Sequence, residues 1–187
     1  MKTLKIKNCK GWQVYQSFQN LELDKKQIGD NFILIEEATD YNTPKEYVLK
    51  TALKKGLATQ EKFFSDIVLC ADTIVVFEDE ILEKPKDKDE ARNMIKKLQD
   101  NYHIVYTAVY LGKGESYENF ACSTKVYIGK MSDSEIEDYI NTTEPYDKAG
   151  AYAIQGIFAK HIEKIEGDYY NVMGLPLHEV YKKIKKY

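Results

Sequence analysis

The run Ile67-Val68-Leu69-Cys70-Ala71-Asp72-Thr73-Ile74-Val75-Val76-Phe77 constrains this chain more than any other segment. It is apolar and β-branched nearly throughout, so it reads as a strand buried on both faces rather than one alternating between core and water. Around it, strand-like and helix-like segments alternate. Asn31-Phe-Ile-Leu-Ile-Glu36 reads as a short strand. Thr43-Pro44-Lys45-Glu46 combines a capping box with proline at the first helical position. Val48, Leu49, Ala52 and Leu53 follow at helical spacing and predict a helix over 44–60. Glu78-Asp79-Glu80 turns the long strand into a second, short one ending near Lys84-Pro85. Asp87 and Glu90 then cap a helix whose inward face is Ala91, Met94, Ile95 and Leu98, with Arg92 pointing elsewhere.

Residues 102–111 and 116–129 read as a hairpin turning at Gly112-Lys113-Gly114. Ser132-Asp133-Ser134-Glu135 is a further capping box, opening a helix to about Asn141. A glycine-punctuated loop, a strand near 157–165 and a last helix from Leu177 complete the chain. The order β-α-β-β-α-β-β-α-β-α predicts an α/β or α+β fold with a mixed sheet. At 187 residues it is read as a single domain over 1–187, with room for two lobes.

Charge narrows the function classes. The net charge is −3, and of the 27 basic residues only Arg92 is arginine. That argues against a protein that coats nucleic acid, and no nucleic-acid polymer is expected as partner. Cys9, Cys70 and Cys122 are odd in number and scattered, which suits reduced thiols and a cytoplasmic setting. Lys2, Lys5, Lys7 and Lys10 interrupt the first residues, so no signal peptide is read there, and no apolar stretch is long enough for a membrane span.

Several residues could carry chemistry. Asp72 lies within an apolar strand, where a carboxylate needs a cation, a metal or hydrogen-bond donors; local backbone donors would serve equally. Lys84 stands where a strand meets Pro85 and could present a point charge to a phosphate, though as one of many lysines it could simply be solvated. Glu36-Glu37 follow a strand and have the oxygen chemistry Mg²⁺ prefers. Lys55 sits late in the first helix, where a solvated cation near the negative end of the helix dipole is the plain alternative. Glu144-Pro-Tyr-Asp-Lys-Ala-Gly-Ala-Tyr-Ala-Ile-Gln-Gly156 reads as an ordered loop in which Gln155 could meet a base edge, and Glu166–Pro176 has the same character. His103, His161 and His178 show no metal-ligand spacing and read as packing or surface residues.

Together these stretches resemble the Maf family of septum-formation-inhibitor-like nucleoside triphosphate pyrophosphatases. The resemblance rests on Asp72-Thr73-Ile74-Val75, Glu83-Lys84-Pro85 with Ala91-Arg92, His103-Ile-Val-Tyr-Thr107, the loop 144–156 and Ile165–Leu177. It implies a Maf/inosine-triphosphatase-like fold, an elongated mixed sheet flanked by helices with a nucleotide cleft between two lobes, often dimeric. The form Asp-Lys-Ala-Gly-x-Tyr-x-Ile-Gln-Gly is similar to the branch that prefers dTTP and UTP. By the resemblance, Asp72 would be the catalytic carboxylate and a ligand of a divalent cation, Mg²⁺ or Mn²⁺, shared with Glu37. Thr73 and Gln155 would choose the base, and Lys84 and Lys55 would hold phosphates. The implied reaction converts a nucleoside triphosphate and water to the monophosphate and pyrophosphate. One stretch departs: where the family carries Ser-x-Ser-Pro-Arg-Arg after its opening strand, this chain reads Lys7-Asn-Cys-Lys-Gly-Trp-Gln13 after Leu4-Lys5-Ile6. A catalytically impaired relative that binds a nucleotide or a protein partner is therefore the second reading of the same residues.

Overall fold

A computed structural model of the chain describes residues 3–6, 24–27 and 40–187. Among these, β1 (Thr3–Ile6), β2 (Asp24–Gln27), β3 (Ile67–Phe77), β4 (Glu80–Leu82), β5 (Asn101–Lys113), β6 (Ser116–Ile128) and β7 (Ile162–Glu166) share one sheet. Its order is β2-β1-β3-β5-β6-β7, with β4 paired to β3. The sheet is mixed, as expected: β1 runs parallel to β2 and β3, whereas β3–β4 and β6–β7 are antiparallel. The helices are α1 (Pro44–Lys62), α2 (Lys88–Leu98), α3 (Asp133–Ile140), the single turn α4 (Tyr169–Val172) and α5 (Leu177–Ile184). The strand expected over 31–36, together with Glu36, Glu37 and the Lys7–Gln13 stretch, lies outside the described residues.

The chain divides into two compact units, residues 1–72, 107–122 and 174–187 in the first, and 73–106 and 123–173 in the second. In the first unit, successive side chains of β3 enter two different clusters, as the period of two in a strand requires. Ile67 and Leu69 pack with Val109, Leu111, Leu175 and Val180, while Val68 and Cys70 pack with Tyr110, Leu53 and Phe63. Helix α5 thus supplies the cover on one face and α1 on the other. Gly56 lets α1 approach, since a Cβ there would stand 2.0 Å from Cγ of the buried Tyr110 ring. In the second unit, the inward face of α2 (Ala91, Met94, Ile95, Leu98) meets Val105, Val126, Ile128, Ile136, Ile140 and Phe158 in one core.

The lone arginine crosses between two helices of this second unit. Arg92 of α2 pairs through Nε with Glu137 of α3 and through Nη1 with Asp89, and Nη2 donates to Glu137 Oε2 at 3.1 Å. Hydrogen bonds donated to Glu137 and Asp89 hold the guanidinium charged well beyond its ordinary range.

Local signals placed most helix starts correctly, with one variation. Thr43 accepts from Glu46 N–H and Asp87 from Glu90 N–H, as capping predicts. The glutamates, however, reach back one residue further than a capping box does, to the N–H of Asn42 and of Lys86. Only Ser132 and Glu135 form the full reciprocal box.

Two expectations are corrected. The hairpin turns at Gly114-Glu115, not Gly112–Gly114, because Gly114 alone adopts the left-handed φ of 60°. Gly112 stays in the strand and makes room, a Cβ there standing 2.7 Å from the Tyr110 hydroxyl and 2.8 Å from Tyr117 Cβ. The last strand begins at Ile162 rather than 157, because residues 157–161 form a 3₁₀ turn whose first two amides are taken by a side chain described below. Strand β2, Asp-Lys-Lys-Gln, was not expected: it carries no apolar pattern, and among the described residues it pairs in parallel with β1.

Candidate active site

Asp72 follows Val68 and Cys70 on the face of β3 that α1 covers. There the carboxylate meets Lys55 of α1, whose ammonium pairs with Asp72 Oδ1; the two side chains are 17% and 21% exposed. Two residues singled out separately in the sequence are thus one half-buried ion pair. The Thr59 hydroxyl donates to the Lys55 carbonyl at 2.7 Å and so anchors that turn of α1. Thr73, next along the strand, projects to the opposite face.

The other expected residues, Thr73, Lys84 and Gln155, belong to the second unit, where the loop 144–156 packs on β3 at Val75. Gly150, in the left-handed region at φ 68°, lies so close to the strand that a Cβ would come within 2.8 Å of Val75 Cγ1. Its N–H donates to the carbonyl of Glu83 at 3.1 Å, which joins the loop to the Glu83-Lys84-Pro85 segment. Lys84 is exposed and Pro85 buried, so the proline fixes the backbone from which the lysine projects. Gln155 closes the loop with Oε1 buried and without a hydrogen-bond partner.

The sequence reading missed the residues that hold these pieces in place. Glu144 accepts from the N–H groups of Ile157 at 2.7 Å and Phe158 at 3.1 Å, which is why the 3₁₀ turn replaces a strand there. The Tyr139 hydroxyl lies 3.1 Å from Glu144 Oε1 and 3.0 Å from the Ala151 carbonyl, donating between them. Burial, and the negative charge of Glu144, hold that phenol protonated. The clue in the sequence was Gly156, since a Cβ there would collide with Glu144 Oε2 at 2.0 Å.

The second glycine-bearing motif is also structural. Thr124 Oγ1 accepts from Asp168 N–H at 3.0 Å and donates to its carbonyl at 2.9 Å, and Asn171 Nδ2 donates to the same hydroxyl at 3.0 Å. Gly167 lies against β6, 2.7 Å from Thr124 Oγ1 if it bore a Cβ. His103 is a packing residue, as expected: it is 1% exposed, and Nε2 lies 2.7 Å from the Tyr152 hydroxyl. Burial pushes its pKa down to about 3. His161 is buried as well, and His178 is exposed.

Among the described residues no three His, Cys, Asp or Glu side chains gather to hold a metal ion, and no helix is long and apolar enough to cross a membrane. The Maf family profile, described as Maf-like protein, matches residues 17–187. The chain belongs to the Maf family. Curated Maf relatives agree. A dTTP/UTP pyrophosphatase of Thermoanaerobacter sp. (strain X514) is 45% identical over 170 residues, spanning 89% of this chain and 87% of the relative. The dTTP/UTP pyrophosphatase of Caldanaerobacter subterraneus subsp. tengcongensis is 46% identical over 155 residues, 81% of this chain and 75% of the relative. That of Acholeplasma laidlawii is 42% identical over 165 residues, 84% and 86%. The Maf match starts beyond Lys7–Gln13, the stretch in which the sequence departs from the family loop.

Proposed function

We propose that this Maf protein hydrolyses nucleoside triphosphates at the α–β phosphoanhydride, releasing the monophosphate and pyrophosphate, with dTTP and UTP preferred. The observation that carries the reading is the half-buried Asp72–Lys55 pair, in a chain whose relatives are dTTP/UTP pyrophosphatases. A carboxylate and an ammonium held together out of bulk water are the two groups this reaction needs, one to take a proton from water and one to meet phosphate charge.

In the free enzyme each group neutralises the other. On binding, Lys55 exchanges the carboxylate for phosphate oxygens and Asp72 is released to orient and deprotonate the attacking water. Lys84 adds a second point charge and Gln155 reads the base, whereas Thr73, on the face of β3 away from Asp72, is left out of that reading. The donor chemistry fits a hard divalent cation, Mg²⁺ or Mn²⁺, which takes one or two carboxylates and completes its shell with substrate oxygens. Asp72, with Glu37, would hold it, and when bound it neutralises charge developing on the phosphates. The enzyme acts in the cytoplasm, where its thiols stay reduced, and as a homodimer, which sedimentation checks.

The test is pyrophosphate release from a panel of nucleoside triphosphates with Mg²⁺ or Mn²⁺, alongside Asp72→Ala. We expect metal-dependent turnover of dTTP and UTP, lowered about 10²–10⁴-fold in the variant, as befits loss of a general base. No turnover of any substrate, or turnover unchanged by Asp72→Ala, would overturn the reading. Nucleotide binding without turnover is the result expected of an impaired relative, since Lys7–Gln13 offers no arginine fork and Arg92 is engaged by Glu137 and Asp89.

A further inference from the structure

Two directional contacts join α1 to β3 within the first unit. One is the Asp72–Lys55 ion pair. The other lies deeper: the Cys70 thiol donates to the Thr59 hydroxyl at 3.7 Å, and both residues are buried. The spacings match. Lys55 and Thr59 stand one turn apart on the same side of the helix, about 6 Å along its axis. Cys70 and Asp72 follow each other on one face of the strand, about 6.6 Å apart. The contacts are therefore two rungs of one ladder, Lys55 to Asp72 and Thr59 to Cys70, with helix and strand running in opposite directions.

Thr59 is bonded on both sides of its rung. Its hydroxyl accepts from the thiol and donates to the Lys55 carbonyl at 2.7 Å. Helix formation alone does not call for this residue. A β-branched side chain is a poor helix former, and a hydroxyl bonded back to the carbonyl four residues earlier slightly destabilises a helix. The neighbouring Gln60, also buried, closes the corner between α1 and β3. Its Nε2 donates to the carbonyls of Phe63, Phe64 and Asp66 at 2.9, 3.2 and 3.2 Å. Leu53 and Phe63 pack on the same cluster, which adds attraction without direction.

The ladder matters when substrate binds. Lys55 then exchanges Asp72 for phosphate oxygens, so one rung opens at the step where the ammonium has to stay in place. We infer that Thr59 is a positioning residue for Lys55, its rung to Cys70 keeping that turn of α1 in register with β3 while the lysine holds phosphate. The inference rests on the hydrolase reading above and deepens it. Thr59 touches no substrate, and its effect passes through Lys55.

The experiment measures binding of inorganic pyrophosphate with Mg²⁺ by titration calorimetry, together with kcat and KM for UTP and a melting curve. It compares the wild type, Thr59→Val, Thr59→Ser, Lys55→Met and the double variant of Thr59→Val with Lys55→Met. Valine keeps the shape of threonine and removes the hydroxyl, whereas serine keeps the hydroxyl. We expect Thr59→Val to weaken pyrophosphate about fivefold and to raise KM for UTP by a similar factor, with kcat nearly unchanged. Thr59→Ser should bind within about twofold of the wild type, because the hydrogen bonds survive. Once Lys55→Met is present, adding Thr59→Val should change affinity and KM no further. Should Thr59→Val fail to fold, Cys70→Ala opens the same rung from the strand side and should weaken pyrophosphate about twofold, as befits a weak thiol donor. Unchanged affinity and KM in the folded variant, an equal loss in Thr59→Ser, or a further loss on the Lys55→Met background would overturn the inference while leaving the hydrolase reading intact. A wild type that neither binds pyrophosphate nor turns over a nucleotide overturns both.

Discussion

His103 is a titratable side chain with no route to water. Its ring is 1% exposed, and burial sets its pKa at about 3 against an ordinary 6.5. Between those values the unfolded chain binds a proton that the folded one refuses, so stability falls as pH drops through 6.5 and levels out below about 3. One such proton gives a slope of about 1.4 kcal/mol per pH unit. Denaturant unfolding from pH 6 to 4 should therefore be flatter by about that slope in His103→Phe, and equal slopes would mean the histidine is charged in the fold. Gly56 gives a second residue-scale test in which two effects oppose. Alanine in the middle of a helix gains about 1 kcal/mol in propensity. Here its Cβ would enter the Tyr110 ring at 2.0 Å, and overpacking a closed core costs about 1–3 kcal/mol. We expect Gly56→Ala to be destabilised in a thermal melt, and Tyr110→Leu to relieve it.

At the scale of elements, the β3–β4 connection is a tight turn built from the wrong residues. Glu78 and Asp79 sit at φ 47° and 66°, a left-handed pair that suits asparagine and glycine. Replacing them by Asn-Gly should raise stability by about 1–2 kcal/mol, measured by chemical denaturation, with no change at Asp72. This turn shows what in the fold could be read in the sequence. Strand β3, the helix caps at Thr43, Asp87 and Ser132, and the inward face of α2 are written in neighbouring residues, and each was legible. Strand β2 was not, because Asp24–Gln27 depends on a backbone partner supplied by β1. The start of β7 was misread for a related reason: a carboxylate thirteen residues before Ile157 claims its amide. The candidate site divides the same way. Asp72 stood out as a carboxylate in an apolar strand, Lys55, Lys84 and Gln155 were candidates by position, and Thr73 with all their roles came only through family likeness. Glu144, whose work is contact across a loop, had no local mark beyond a glycine.

Across the whole molecule, each compact unit has a core of its own. Leu175 belongs to one cluster and Ile95 to another, both fully buried. Alanine at either should cost about 2–5 kcal/mol. With no shared partners, the double variant should lose the sum to within about 0.5 kcal/mol, and a larger deviation in urea titration would mean the cores are coupled. The anchoring of Arg92 to Glu137 and Asp89 has a practical consequence. A chain with one arginine offers an arginine-specific protease a single peptide bond, the one after residue 92, in the middle of α2. Cleavage demands that the helix unwind and its guanidinium leave α3, so the rate of that one cut is a built-in clock for local opening of this unit, readable on a gel without a label.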